Sequence, residues 1–255
     1  MKYTYHLLAL CPLLLGLSPL HAQNRRFDPA GKQADLTLPR HVRTQVEYIE
    51  LSLEDMTALM ADPTATKNDT TLRQRVTALI KAKKATIIET QMVIARSGEK
   101  ATSESIREYI YPTEYEPSEL TNEIHIHNKD GDTKVPNKEV ATGPTPTAFE
   151  TRNLGATLEV EPTIGENNRL VDIRLSPEIV YHVKNIKWAT WKDKHGEADI
   201  MMPIFYSLRV TTAATVISGQ PCLFAALSPK NDNGVTDFSR KVLVFVRCDV
   251  IVVGR

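Results

Sequence analysis

"RVTTAATVISGQPCLFAAL" (residues 209–227) and "KVLVFVRCDVIVV" (residues 241–253) close the chain. Both are dense in β-branched residues, and a dozen or so polar residues separate them, which predicts two neighbouring strand segments. In the second stretch Val244, Val246, Cys248 and Val250 share one face, because successive strand side chains point to opposite sides. Arg247 and Asp249 fall on the other face. The apolar face is therefore core, and the charges fit poorly with a strand facing lipid. Pro221 has no N–H to give to a ladder, so it suits an edge or a strand start. Cys222 and Cys248 fall one on each segment. Two outcomes stand open: a disulfide, or two buried thiols acting as small hydrophobes. A bridge would close a loop of about 25 residues, worth ~3 kcal/mol.

Upstream of this pair the texture is also β. In "ATLEVEPTI" (156–164), Leu158 and Val160 oppose Glu159 and Glu161. In "RLVDIRLSPEI" (169–179), Val171, Ile173 and Leu175 oppose Asp172 and Arg174, with "GENN" (165–168) as the turn. "ATIIETQMVIAR" (85–96) reads as a strand, "SGEK" as a turn and "ATSESIREYIY" (101–111) as the returning strand. Residues 114–148 are rich in turn formers and read as an exposed, loop-rich insertion holding a hairpin at "NKDGD" (128–132).

The front of the chain differs. "HVRTQVEYIELS" (41–52) alternates with an offset: Val42, Val46 and Tyr48 lie out of phase with Ile49 and Leu51, suggesting a bulge. Ser52 followed by Asp55 predicts a capped helix through Met60, ended by Pro63. Leu72, Val76, Leu79 and Ile80 recur at helical spacing, with Thr70 or Thr71 as the cap. The fold class is α+β: a mostly antiparallel β-sheet or sandwich in the C-terminal two-thirds, with two helices near the N-terminus.

Residues 1–22 have the layout of a secretory signal peptide, with Lys2, an apolar run over 7–17 and a small residue at Ala22. Cys11 is preceded by the bulky Leu10, which argues against lipidation. Residues 23–40 are polar and aperiodic, a flexible arm, leaving 41–255 as a single domain. The 31 basic and 31 acidic residues balance, so there is no cationic excess to hold a nucleic acid. No catalytic signature occurs: GxSxG, HExxH, a phosphate-cradling glycine loop and CxxC are all missing from the sequence. The expectation is no enzyme and no cofactor. His125 and His127 share a strand face beside Asp130 and Asp132, but a third ligand at fixed spacing is lacking, so the reading is surface binding rather than metal. Trp188 and Trp191, flanked by Lys187 and Lys192, suit a lipid interface, a sugar-stacking platform, or a loop packed on the core edge.

The order of segments resembles the secretin domain, the outer-membrane gate of type II and type III secretion systems and type IV pili. "QVEYIELS", the 79–112 helix-to-strand run, Gly155, Thr157, Leu158, Val160 and Pro162 of the glycine-threonine-leucine strand, the threonine-rich strand turning at Ser218 and Gly219, and the terminal apolar strand follow that pattern over about residues 42–251. The chain departs from it at Ala225, Ala226 and Leu227, where secretins carry two glycines and a leucine, and at "SPKNDNGVTDFSRK" (228–241), which stands where they carry a gate segment. No N-terminal ring modules are expected. The resemblance implies an exported protein of the periplasm, outer membrane or cell surface. Its partners would be copies of itself (a homo-oligomer) and other pilus or secretion-apparatus proteins, with outer-membrane association. The function expected is a non-enzymatic structural or assembly component that is not itself a gated channel. The alternatives are a minimal outer-membrane pore, or an exported adhesion module using 114–148 and the Trp188/Trp191 segment.

Overall fold

A computed structural model describes residues 38–116, 124–135, 143–165, 168–192 and 197–253. The signal segment and nearly all of the arm lie outside the described residues.

The two closing stretches sit at the middle and edge of a four-stranded antiparallel sheet. β1 (Arg40–Ser52) pairs on one side with β2 (Ala85–Arg96) and on the other with β11 (Arg240–Val252), and β11 pairs with β10 (Pro221–Leu227). Pro221 opens the edge strand, where its missing N–H costs no ladder bond. A second, longer sheet runs β3 (Ala101–Glu116), β6 (Thr145–Ile164), β7 (Leu170–Lys192), β8 (Glu197–Arg209), with β9 (Thr212–Ile217) pairing the start of β7. The short hairpin of β4 (Ile124–Asn128) and β5 (Gly131–Val135) turns at Lys129 and Asp130, within the expected turn.

Each sheet buries one face against the other. Val42, Val46, Tyr48, Val242, Val244, Val246 and Cys248 of the first sheet meet Leu158, Val160, Val171, Ile173, Leu175 and Ile179 of the second. Each such aliphatic side chain contributes roughly 2 kcal/mol when removed from water. The other face of the first sheet is also apolar, and α1 (Leu53–Ala61) and α2 (Asp69–Lys81) cover it through Met56, Leu59, Leu72, Val76 and Leu79 on Ile49, Leu51, Leu243 and Phe245. This explains the offset in β1. Tyr48 and Ile49 belong to opposite faces, each covered by a different layer, and the irregular residue is Ile88 on β2, skipped between Tyr48↔Glu89 and Ile49↔Ile87. It also explains the unbroken run "VLVFV", since a strand buried on both faces loses its alternation.

Several expectations are corrected. α2 is capped by the Asn68 side chain, which accepts from Thr71 N, rather than by Thr70 or Thr71. β2 and β3 are not a hairpin. The turn at 97–100 carries the chain from one sheet to the other, pinned to β6 by Gly98 N to Pro162 O (2.8 Å) and Ile164 N to Ser97 Oγ (2.9 Å). The Ser218–Gly219 turn makes a second such crossing: Gly219 N donates to Cys248 O (2.7 Å) and Val250 N to Ser218 Oγ (3.0 Å). The insertion at 114–148 is strand at both ends, because β3 and β6 stay paired out to Glu116↔Thr145.

Candidate assembly surface on the projecting strands

The long sheet outruns its partner. The ladder between β6 and β7 spans Ile164↔Val171 to Gly155↔Val180, and the half of each strand beyond that point pairs only outward, β6 with β3 and β7 with β8. Two hairpins thus project past the core. Residues 145–153 of β6 and 184–192 of β7 are mostly exposed, whereas the halves over the core alternate buried and exposed. Sequence alternation marked only the core-covering halves, because a strand with two solvated faces leaves no clean period.

The projecting part is amphipathic. Ile110 is paired with Thr151 and Pro112 with Phe149, and Ile106 lies four residues along β3 on the same face. Ile110 and Phe149 are 64% and 59% exposed, a large apolar display for an unpartnered surface. On the other face Tyr109 and Tyr111 reach across to the second hairpin. Tyr109 stacks on His182 (ring centres 4.8 Å apart), meets Phe205 edge-on (5.7 Å) and donates its hydroxyl to Asn185 Oδ1 (3.0 Å); Tyr111 lies 5.5 Å from Phe205. The sequence reading missed this cluster. The only signal was that "REYIYP" carries apolar bulk on both faces of one strand.

Among the described residues the outermost strands β3 and β8 each have one unpaired edge, as do β2 and β10 in the smaller sheet. Such edges are templates for another strand. At the far end of β7/β8, Lys187 bonds Asp199 (2.6 Å) and lies near Glu197 (3.8 Å), which raises the lysine's pKa and lowers the aspartate's through that hydrogen bond first.

The residues singled out in the sequence fall as follows. Trp188 and Trp191 are on β7, not in a loop. Trp188 is passed over in the β7/β8 pairing between Lys187 and Ala189 and stands 74% exposed, while Trp191 is half-buried beside Gly143. His127 is exposed on β4 and contacts Asp132, its cross-strand partner; the side chain of His125 lies outside the described residues. Among the described residues no cluster of three metal-binding side chains occurs. Cys222 and Cys248 stand as free thiols in this structure. The register explains this: Cys222 is opposite Val246, leaving Cys248 one diagonal step away. Burial pushes the Cys222 thiol up to about 12, with the Asp69 carboxylate adding to it, and that of Cys248 up to about 11. The segment 228–239 is a compact loop. Asn231 Oδ1 accepts from Asn233 N and Val235 N, and Gly234 lies against Val183 and Ile204 of β7 and β8.

No family model matches the sequence, and no curated protein matches it. Among solved structures the chain is similar to the secretin-domain β-barrel of InvG from the Salmonella SPI-1 injectisome, at 10% identity over 84% of this chain and 64% of that one, TM-score 0.41. It is also similar to the type II secretion secretin GspD of E. coli K12 (10% identity, 84% and 50% covered, TM-score 0.33) and to GspD of enteropathogenic E. coli (11%, 85% and 70%, TM-score 0.39). The chain spans 64%, 62% and 44% of the three InvG chains it matches. The solved domains that this chain is similar to are secretin domains of type II and type III secretion systems.

Proposed function

We propose that this chain is an exported, non-enzymatic structural subunit of a secretion- or pilus-type apparatus, working in the periplasm or at the outer membrane by assembling with copies of itself. The observation that carries the reading is the projecting part of the long sheet. Four strands extend beyond the core, the outermost two have unpaired edges, and one face displays Ile110 and Phe149 to solvent. Pro112 on β3 and Pro203 on β8 interrupt these edges, and the stretches on either side stay open to another strand. Here a second copy can continue the sheet, β3 of one against β8 of the next, and repetition of that heterologous contact closes into a ring.

The reading includes no gate. What supports this is that the 228–239 loop is short, tied by its own asparagine, and folded onto β7 and β8. A second reading is favoured by one specific feature. The projecting parts of β6 (145–153) and β7 (184–192) are nine residues each, close to the about 10 that a strand needs to cross a bilayer. With Trp188 exposed toward one end, the projecting strands suit the wall of a minimal outer-membrane pore.

Native mass decides between them. A subunit that rings in solution gives multimers in detergent-free buffer, which Ile110→Asp or Phe149→Asp disperses. A pore subunit is recovered only in detergent, as heat-resistant multimers. A detergent-free monomer unaffected by either substitution rejects both readings.

A further inference from the structure

Gly155 stands at the point where the β6–β7 ladder stops, and its backbone is one that only glycine tolerates. Its φ is 120°, and a Cβ there would sit 2.2 Å from Ser105 O on β3. Past this residue the β3/β6 hairpin is no longer paired with β7, and the Tyr109–His182–Phe205 cluster holds it against the β7/β8 hairpin. That contact joins side chains from opposite faces of the long sheet. Tyr109 is the cross-strand partner of Arg152, two residues from Leu154 on the core-facing side of β6. His182 follows Tyr181, the core-side residue of β7, and so lies on the outer side. Were the ladder carried two steps beyond Gly155↔Val180, His182 would come opposite Asn153, with Tyr109 on the other face.

The two arrangements exclude each other. From this geometry we infer that the β3/β6 hairpin is a two-position element hinged at Gly155. In the latched position the aromatic cluster is formed and the facing edges of β6 (145–154) and β7 (181–192) are parted. In the zipped position the cluster is undone, the β6–β7 ladder runs on, and the four projecting strands form one continuous sheet. The aromatic contacts and the Tyr109–Asn185 hydrogen bond favour the first; a ladder extended by several residue pairs favours the second. Of the residues involved only Leu154, beside the hinge, is buried, so a packed core locks neither position. The inference concerns the single chain and holds whatever the assembled protein does.

Amide hydrogen exchange of the full chain, read on peptides covering 145–153, 183–190 and 171–179, tests it. Replacing Tyr109→Ala together with Phe205→Ala removes the latch without touching the backbone; exchange over 145–153 and 183–190 should then slow at least tenfold, with 171–179 unchanged. Gly155→Ala, whose methyl group cannot fit the latched backbone, should slow the same two peptides. Unchanged or faster exchange over 145–153 in the Tyr109/Phe205 variant overturns the inference. Should Gly155→Ala also lose protection over 171–179, it has lost its fold, and the latch variant alone decides.

Discussion

Arg73 on α2 donates from Nε to Glu47 Oε2 on β1 at 2.8 Å, and the two side chains are only 17% and 18% exposed. The same guanidinium lies over the Phe245 ring at 5.8 Å and bonds Thr77 Oγ1. One side chain therefore ties the helical layer to two adjacent strands. Arg73→Ala should cost about 2 kcal/mol, because Glu47 is left part-buried without its cation, keeping only the long bond from Gln45 Nε2 (3.4 Å). Arg73→Lys should recover less than half of that, since an ammonium cannot span carboxylate and ring together. Urea unfolding of the variants measures both.

The two thiols set an alkaline limit. Each is pushed above the ordinary value of 9.0, to about 12 for Cys222 and about 11 for Cys248, chiefly by burial. Raised folded values mean that the unfolded chain releases these protons first. Their contribution is then fully present below pH 9 and is lost as pH rises from there toward 12. Stability should fall over that window, and the fall should be shallower in Cys222→Ser/Cys248→Ala, whatever its absolute stability. Thiol titration of the unreduced, denatured protein should count two free groups among these positions; none would mean that the strands bridge.

Gln91 on β2 is 6% exposed, and both its amide atoms are buried without a hydrogen-bond partner among the described residues. Burial of such a group is unfavourable by about 1–3 kcal/mol. Gln91→Leu should therefore raise the denaturation midpoint, corresponding to about 1 kcal/mol of added stability after allowance for imperfect fit. A lowered midpoint shows that the amide is satisfied in solution.

Gly219 has φ 83° and gives its N–H to Cys248 O at the crossing between the sheets. A β-branched residue is strained there, so Gly219→Val should destabilise by about 2 kcal/mol, while Gly219→Asn should cost less than half as much. Thermal unfolding of the pair separates a conformational requirement from a simple loss of contact.

The sequence made legible whatever a single buried face governs. Leu158, Val160, Val171, Ile173 and Leu175 alternate because one side faces the core, and they lie where the pattern puts them. The Ser52 cap and the Leu72–Val76 stripe follow from local rules and also hold. Sequence was blind to which strands are neighbours: β2 to β3 reads as a hairpin because the turn is short, and 209–227 reads as one segment, yet the turns at 97–100 and Ser218–Gly219 both change sheets. Turn length limits distance and leaves pairing open. The projecting hairpins were equally hidden, since Ile110, Tyr111 and Phe149 answer to no single interior.

One pairing has a bearing on how the chain reaches this state. β1 is matched along its whole length by β11, from Arg40↔Val252 to Ser52↔Arg240, so the central pair of the helix-covered sheet joins the first described strand to the last. A polypeptide emerging from its N-terminus cannot complete that sheet until β11 arrives, and closure over so long a separation is slow. β1 and β2 must therefore wait with one long edge open, and truncation by even a dozen C-terminal residues should leave a chain that aggregates rather than a smaller domain.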